Sequence, residues 1–123
     1  MNTKKIIEVI KKKYPGKKVI LDPEDNPAEI ICEIDPTSNH LEKSKALAIV
    51  GQSKPHYHKK SIEVYEVMKG VLTIYKSGKK HVLKKGEKLT IKPGEIHSAE
   101  GKEAWFYTYS EPGWNINDHI LIV

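Results

Sequence analysis

The sequence predicts an all-β domain, a small sandwich or barrel, opened by one short α-helix. Three observations predict it. From Ser61 onward, short apolar runs recur about every ten residues, each ended by a turn-forming residue. No stretch of helical periodicity long enough for a crossover helix interrupts them, which argues against a βαβ architecture. The length of 123 residues, with 38% apolar and 30% charged positions, fits one domain, expected to span 1–123. A chain of this size buries roughly two-thirds of the surface it exposes when unfolded. It needs no disulfide or structural metal to hold together, so a bound metal would be functional.

The helix is expected within 1–16. Ile6, Ile7, Ile10 and Tyr14 recur at helical spacing, lysines surround them, Thr3 is placed to cap the first turn, and Gly16 to stop the last. Pro15, Pro23, Pro27 and Pro36 then divide the chain into short pieces, among which 28–34 and 45–50 are rich in aliphatic residues and read as strands. The core barrel is expected over 45–110. Its further strands are 62–68 before Gly70, 71–75 before Ser77-Gly78, 81–83 before Gly86, 88–91 before Pro93-Gly94, and 105–109 before Pro112-Gly113. Trp105, Phe106, Tyr107, Tyr109 and Trp114 fall close together, as a core-facing strand and barrel plug or as the wall of a ligand site.

The net charge of +5 raises the question of a nucleic-acid partner, but all 21 basic residues are lysine. Without arginine the chain lacks the planar fork that reads guanine edges and clamps phosphates, and its lysines are interleaved with glutamates. A solvated surface is the expectation, with no nucleic acid. The surplus of Lys and Glu suggests a heat-adapted source. Cys32 stands alone, so no intramolecular disulfide framework exists within this sequence. The polar start MNTKK does not match a signal peptide, and no apolar run approaches the roughly 20 residues of a membrane span. A cytoplasmic protein with no membrane partner is expected.

The chemistry starts at His56-Tyr57-His58. Two imidazoles at i and i+2 on a strand share one face and come close enough to share an ion, although this spacing alone is common by chance. On the following alternating segment Glu63, Tyr65 and Val67 share one face, and Val64, Glu66 and Met68 the other. One carboxylate therefore sits among apolar neighbours, where a cation and hydrogen bonds would offset its desolvation. Periodicity leaves Glu63 and Glu66 as rivals. His97 follows the turn at Gly94-Glu95-Ile96, and an antiparallel partner would bring it opposite the first pair. Three histidines and a glutamate suit iron, manganese, cobalt, nickel, copper or zinc, not the all-oxygen shells of calcium and magnesium.

These residues resemble the cupin superfamily, as a small single-domain member. Its first motif is matched by Gly51, His56, His58, Glu63 and Gly70, with four residues instead of five between Gly51 and His56. Its second motif is matched by Gly86, Gly94 and His97; Lys92 replaces the first proline, Pro93 fills the variable position, and Gly101 stands where asparagine is usual. The resemblance implies a double-stranded β-helix, the jelly-roll or cupin barrel. It implies His56, His58, Glu63 and His97 as ligands of a divalent transition metal on the inner wall, with Glu63 as the inward carboxylate. His40, His81 and His119 lack comparable spacing and are expected at surface or turn positions.

Cupins similar to this chain include sugar-phosphate isomerases and epimerases, dioxygenases, decarboxylases and non-catalytic sensors, so fold does not name a reaction. Lys54, Lys59, Lys60 and Lys92 are expected near the barrel mouth, where they would favour a small polar or anionic ligand, with Trp105 as a further rim residue. An isomerase- or epimerase-like enzyme would need a base, for which Tyr65, Glu66, Glu95 and Tyr107 are the candidates. A metal-dependent sensing module and a cupin-type dioxygenase are the alternatives. A homodimer is the expected assembly, through 28–34 or the aromatic C-terminal strand.

Overall fold

A computed structural model describes residues 1–122. One helix, α1 (Thr3–Lys13), precedes ten strands: β1 (Lys18–Asp22), β2 (Glu29–Asp35), β3 (Ser44–Gln52), β4 (His56–Tyr57), β5 (Ile62–Lys69), β6 (Leu72–Lys76), β7 (Lys79–Leu83), β8 (Lys88–Ile91), β9 (His97–Glu111) and β10 (Ile120–Leu121). The all-β class with a short helix, and the jelly-roll barrel, are as expected from the sequence.

All pairings are antiparallel, and they form two layers that share β9. The first half of β9 pairs with β4 and β6, and the second half with β3 and β5. The strand serves both layers because it bends where the register of β3 on β9 slips between Val50 and Gln52, and Glu103 takes a positive φ of 50°. Gly101 is required at this bend. A Cβ there would lie 2.8 Å from the Ala104 Cβ and 2.9 Å from the Val71 carbonyl oxygen. Close backbone approach thus accounts for glycine where the resembling family carries asparagine.

Register defines the two faces. Ala48 opposite Phe106, Val50 opposite Ala104, and Val67 opposite Phe106 join Tyr65, Leu72, Ile74 and Ile91 in the core between the layers. The alternate residues Leu47, Ile49, Ile30 and Cys32 face outward and are covered by Ile6 and Ile10 of the helix. The helix exists because its apolar stripe closes this second core, and the hydroxyls of Tyr14 and Tyr107 hydrogen-bond across it. Its N-cap is Asn2, whose side chain accepts from the Lys5 amide at 3.2 Å, not Thr3, which lies inside the first turn.

Three strands go beyond the sequence reading. β1 has only Val19-Ile20-Leu21 between Gly16 and Pro23, and β4 and β10 are two residues each, too short to show alternation. The C-terminal strand, expected over 105–109, begins eight residues earlier at His97, because its first half is polar and carries Gly101.

Candidate metal centre

His56 on β4 and His97 at the start of β9 are directly opposed in the ladder. His58 follows two residues later, and Glu63, near the start of β5, faces inward from the other layer opposite Ser110. Both sheets therefore contribute. All four side chains are buried, and one ligand atom from each lies within 4.8 Å of the others. First-row ions bind nitrogen and oxygen ligands at about 2.0–2.2 Å, which sets ligand atoms roughly 3–4 Å apart. Small side-chain adjustments cover the difference.

The orientation of the rings is more informative than their proximity. The Nδ1 of His56 lies 2.8 Å from the Lys54 carbonyl, that of His58 2.9 Å from the Asp118 carbonyl, and that of His97 2.9 Å from the Glu95 carbonyl. A carbonyl only accepts, so each Nδ1 carries the proton and donates it. In the neutral rings each Nε2 is then left as a lone pair. His58 Nε2 and His97 Nε2 lie 3.0 and 3.3 Å from Glu63 Oε1, and none of these three buried atoms has a hydrogen-bond partner when the rings are neutral. Lone pairs facing a carboxylate oxygen in a buried site are repulsive until a proton or a cation lies between them. The donor set fits a divalent transition metal.

The charges respond accordingly. Burial holds the His56 imidazole down to about 4, reinforced by His97, so it is neutral at physiological pH. Burial works against ionising Glu63, yet the facing His58 and His97 rings, when a proton is held between them and the carboxylate, outweigh it and keep the carboxyl far below its usual range. Burial likewise opposes charging His58, but Glu63 prevails and raises it. Ser110 Oγ donates to Glu63 Oε2 at 3.3 Å, fixing the oxygen that faces away from the histidines.

Glu66, the rival carboxylate, points outward. It accepts from the Tyr109 hydroxyl at 2.8 Å and lies 3.7 Å from Lys88 Nζ. Trp105 and Tyr107 also face the helix layer, opposite Ile49 and Leu47, so neither lines the barrel mouth. Trp105 is thus not a rim residue, nor Tyr107 an inner base. Glu95 is tied to the Lys92 amide at 2.7 Å and lies 3.8 Å from Lys76 Nζ; its contribution to the centre is the carbonyl that orients His97. Of the four base candidates only Tyr65 faces inward, 6.1 Å from His97 ring to ring. Burial first, then the Glu63 and Glu29 charges, push its hydroxyl well above the usual range, so it remains a proton donor. Lys54, Lys59, Lys60 and Lys92 are exposed, and their contacts to the site run through their backbone.

Two groups near the centre escaped the sequence reading. His119, expected at a surface or turn position, follows the short turn Ile116–Asp118 and stacks on His56 with ring centroids 4.2 Å apart, and its Nδ1 accepts from the Trp114 indole at 3.3 Å. Glu29 on β2 pairs with Asp22 and Val50, which places it on the inner face beside the barrel core. No motif marks either residue; only strand register finds Glu29, and only the C-terminal path finds His119. His81, also expected at a surface or turn position, is half-buried within β7 opposite Ile74. His40 lies after the turn that follows β2, 2.8 Å from Asp35.

Burial first, then the Asp22 and Glu63 charges, raise the Glu29 carboxyl from about 4.5 to about 7. Between those values the folded chain keeps a proton that the unfolded chain has released, so stability falls as pH rises from 4.5 to 7 and levels off above. Glu29→Gln removes that loss. In chelator-treated protein it is expected to stabilise the fold by about 2 kcal/mol at pH 8, after allowance for partial exposure, and by little at pH 4.5. Parallel denaturation midpoints for the two proteins across that range would refute the assignment.

A family model described as Cupin domain matches residues 47–104. Among solved structures, a Streptomyces protein with uridine bound, described as a nucleoside dehydratase, superposes with a TM-score of 0.76 at 12% identity, covering 89% of this chain and 88% of that one. KdgF from Halomonas sp. gives 0.63 at 16% identity, covering 76% and 93%. A Bacillus subtilis oxalate decarboxylase variant gives 0.72 at 15% identity, over 89% of this chain and 31% of that one; a related oxalate decarboxylase structure is described as having Mn(II) centres. At these identities the likeness establishes the fold. Among curated proteins, no sequence matches the chain significantly.

Proposed function

We infer that the chain is a metal-binding member of the cupin superfamily, of the three-histidine, one-glutamate type, and propose that it is a metal-dependent enzyme acting on a small polar substrate. The observation that carries this reading is the set of three Nδ1-anchored imidazoles whose Nε2 atoms converge with the Glu63 carboxylate. His56, His58, Glu63 and His97 would hold the ion. Bound there, a divalent metal supplies Lewis acidity toward a carbonyl or hydroxyl oxygen.

The residues of the chain supply the rest. Tyr65, kept protonated, donates a hydrogen bond toward the centre, and Glu29, whose carboxyl exchanges its proton near neutrality, is the inward group suited to acid–base work. The expected base thus moves from the four residues first considered to Glu29. An isomerase- or epimerase-like proton transfer uses both groups. A non-catalytic sensing module would need neither, and a dioxygenase less of the base.

His56→Ala is expected to lose most of its metal while keeping the fold, because β4 contributes little to either core. Elemental analysis of protein purified without chelator or affinity metal tests this directly, and unchanged stoichiometry would overturn the ligand set. Incubating metal-restored protein with mixed sugars, sugar phosphates and keto acids then separates the enzyme from the sensor. Depletion of a component by wild type but not by Glu29→Gln supports catalysis; retention of a component without turnover supports sensing.

A further inference from the structure

We propose that Asp118 is the positioning residue of the metal centre, and that the C-terminal strap around it, residues 115–121, docks and undocks in step with metal binding. The proposal rests on the metal reading above, but concerns residues outside the ligand set and beyond the matched cupin segment.

Little in the strap's own sequence holds it in place. It is one 3₁₀ turn, Ile116–Asp118, capped by the Asn115 side chain on the Asn117 amide at 2.8 Å, followed by the two residues of β10. Its order comes from what Asp118 grips. One carboxylate oxygen accepts from the Lys59 amide at 2.8 Å and the Lys60 amide at 3.1 Å; the other accepts from Ser61 at 3.0 Å and Lys60 at 3.3 Å. Three successive amides pointing at one carboxylate form an anion nest, occupied here by the chain's own side chain. These amides belong to the connection between two ligands, His58 and Glu63.

The same residue also reaches the centre through its backbone. The Asp118 carbonyl accepts from His58 Nδ1, which fixes that ring's tautomer and leaves Nε2 facing Glu63. The next residue, His119, stacks on His56. Beyond it, β10 pairs with β4 at Leu121 opposite His56, and the Ile122 amide donates to the Pro55 carbonyl at 3.1 Å. The strap therefore touches two of the three imidazoles while none of its side chains belongs to the ligand cluster.

If the carboxylate is lost, the three loop amides lose their acceptor and the carbonyl is no longer aimed at His58. The ring is then free to turn or to take its proton on Nε2, where it blocks a ligand atom. Coupling is reciprocal, so an ion that needs His58 in this tautomer must also favour the docked strap.

Cobalt(II) is a suitable probe because its visible spectrum reports ligand number and geometry. Wild type, Asp118→Asn and Asp118→Ala are titrated with cobalt against a competing chelator, with far-UV circular dichroism and melting recorded without metal. Asp118→Ala is expected to bind roughly 10- to 100-fold more weakly with an altered spectrum, and Asp118→Asn to lie between it and wild type. In wild type, cobalt should slow hydrogen exchange at the Lys59, Lys60 and Ser61 amides and through the strap. Wild-type affinity and spectrum in folded Asp118→Ala overturn the proposal, as does unchanged exchange in cobalt-loaded wild type should the variant fail to fold. Failure of wild type to bind cobalt at all defeats the metal reading itself.

Discussion

Glu63→Gln is expected to weaken metal binding more than the roughly 100-fold that loss of an orienting partner costs, since it removes the only anionic ligand from a buried site. The amide oxygen is a poorer ligand, and the amide nitrogen has two hydrogens to offer the lone pairs of His58 and His97. The substitution thereby satisfies the centre without a cation. The metal-free variant is expected to be no less stable than metal-free wild type, although it binds far less metal. Glu66→Gln is the matched control. It gives up a hydrogen bond from Tyr109 and an exposed ion pair on the outer face, and its occupancy should equal that of wild type. Elemental analysis of both variants with chemical denaturation decides the matter, and the reverse order of occupancy would place the metal on the wrong face of β5.

Phe106→Ala is expected to cost about 3–5 kcal/mol. Phe106 is 2% exposed in the core between the layers and packs against Tyr65 with ring centroids 5.1 Å apart. The truncation leaves a cavity beneath the tyrosine that stands next to His97. For a domain of about 5–15 kcal/mol total stability, the loss should appear as a fall of roughly 10–20 °C in Tm. Because it acts on the floor of the centre and not on its ligands, metal should still bind to the folded fraction and recover part of the lost Tm. A melting temperature within a few degrees of wild type would mean that the barrel core closes around the gap.

The two predictions separate what holds the barrel from what occupies it. Tyr65, Val67 and Phe106 make the floor, and Glu63 rides on the same face two residues before Tyr65. The carboxylate therefore enters the interior by the alternation that buries its neighbours, and Ser110 holds its second oxygen. Stability and ligand placement share one strand face. Core substitutions along β5 should disturb the centre, whereas changes to its outer face at Val64 or Glu66 should not.

Much of this could be read along the chain. Alternation on 62–68 narrowed the inward carboxylate to Glu63 or Glu66, and the cupin-like spacing selected Glu63. The spacing of His56, His58 and His97 grouped the imidazoles, and Gly70, Gly78, Gly86 and Gly94, all at positive φ, marked the turns between strands. These signals are local, because period and turn chemistry depend on a few adjacent residues. The misassigned Trp105 and Tyr107 show where local reading ends. Both lie in a strand that is buried on two faces, one against the barrel core and one against the helix, so neither face is polar enough to tell which way a side chain points.

Tertiary structure alone decided the remainder. It set the tautomer of His58 through the Asp118 carbonyl, 60 residues away from the ring, whereas His56 and His97 donate to carbonyls only two residues before them. It brought His119 onto His56, turned Glu29 inward across from Val50, and bent β9 at Gly101 so that one strand could carry His97 into one layer and Ser110 into the other. Each depends on contacts between segments far apart in the chain. A residue's type and its neighbours determine its face and its propensity; its partner is determined only when the sheets close.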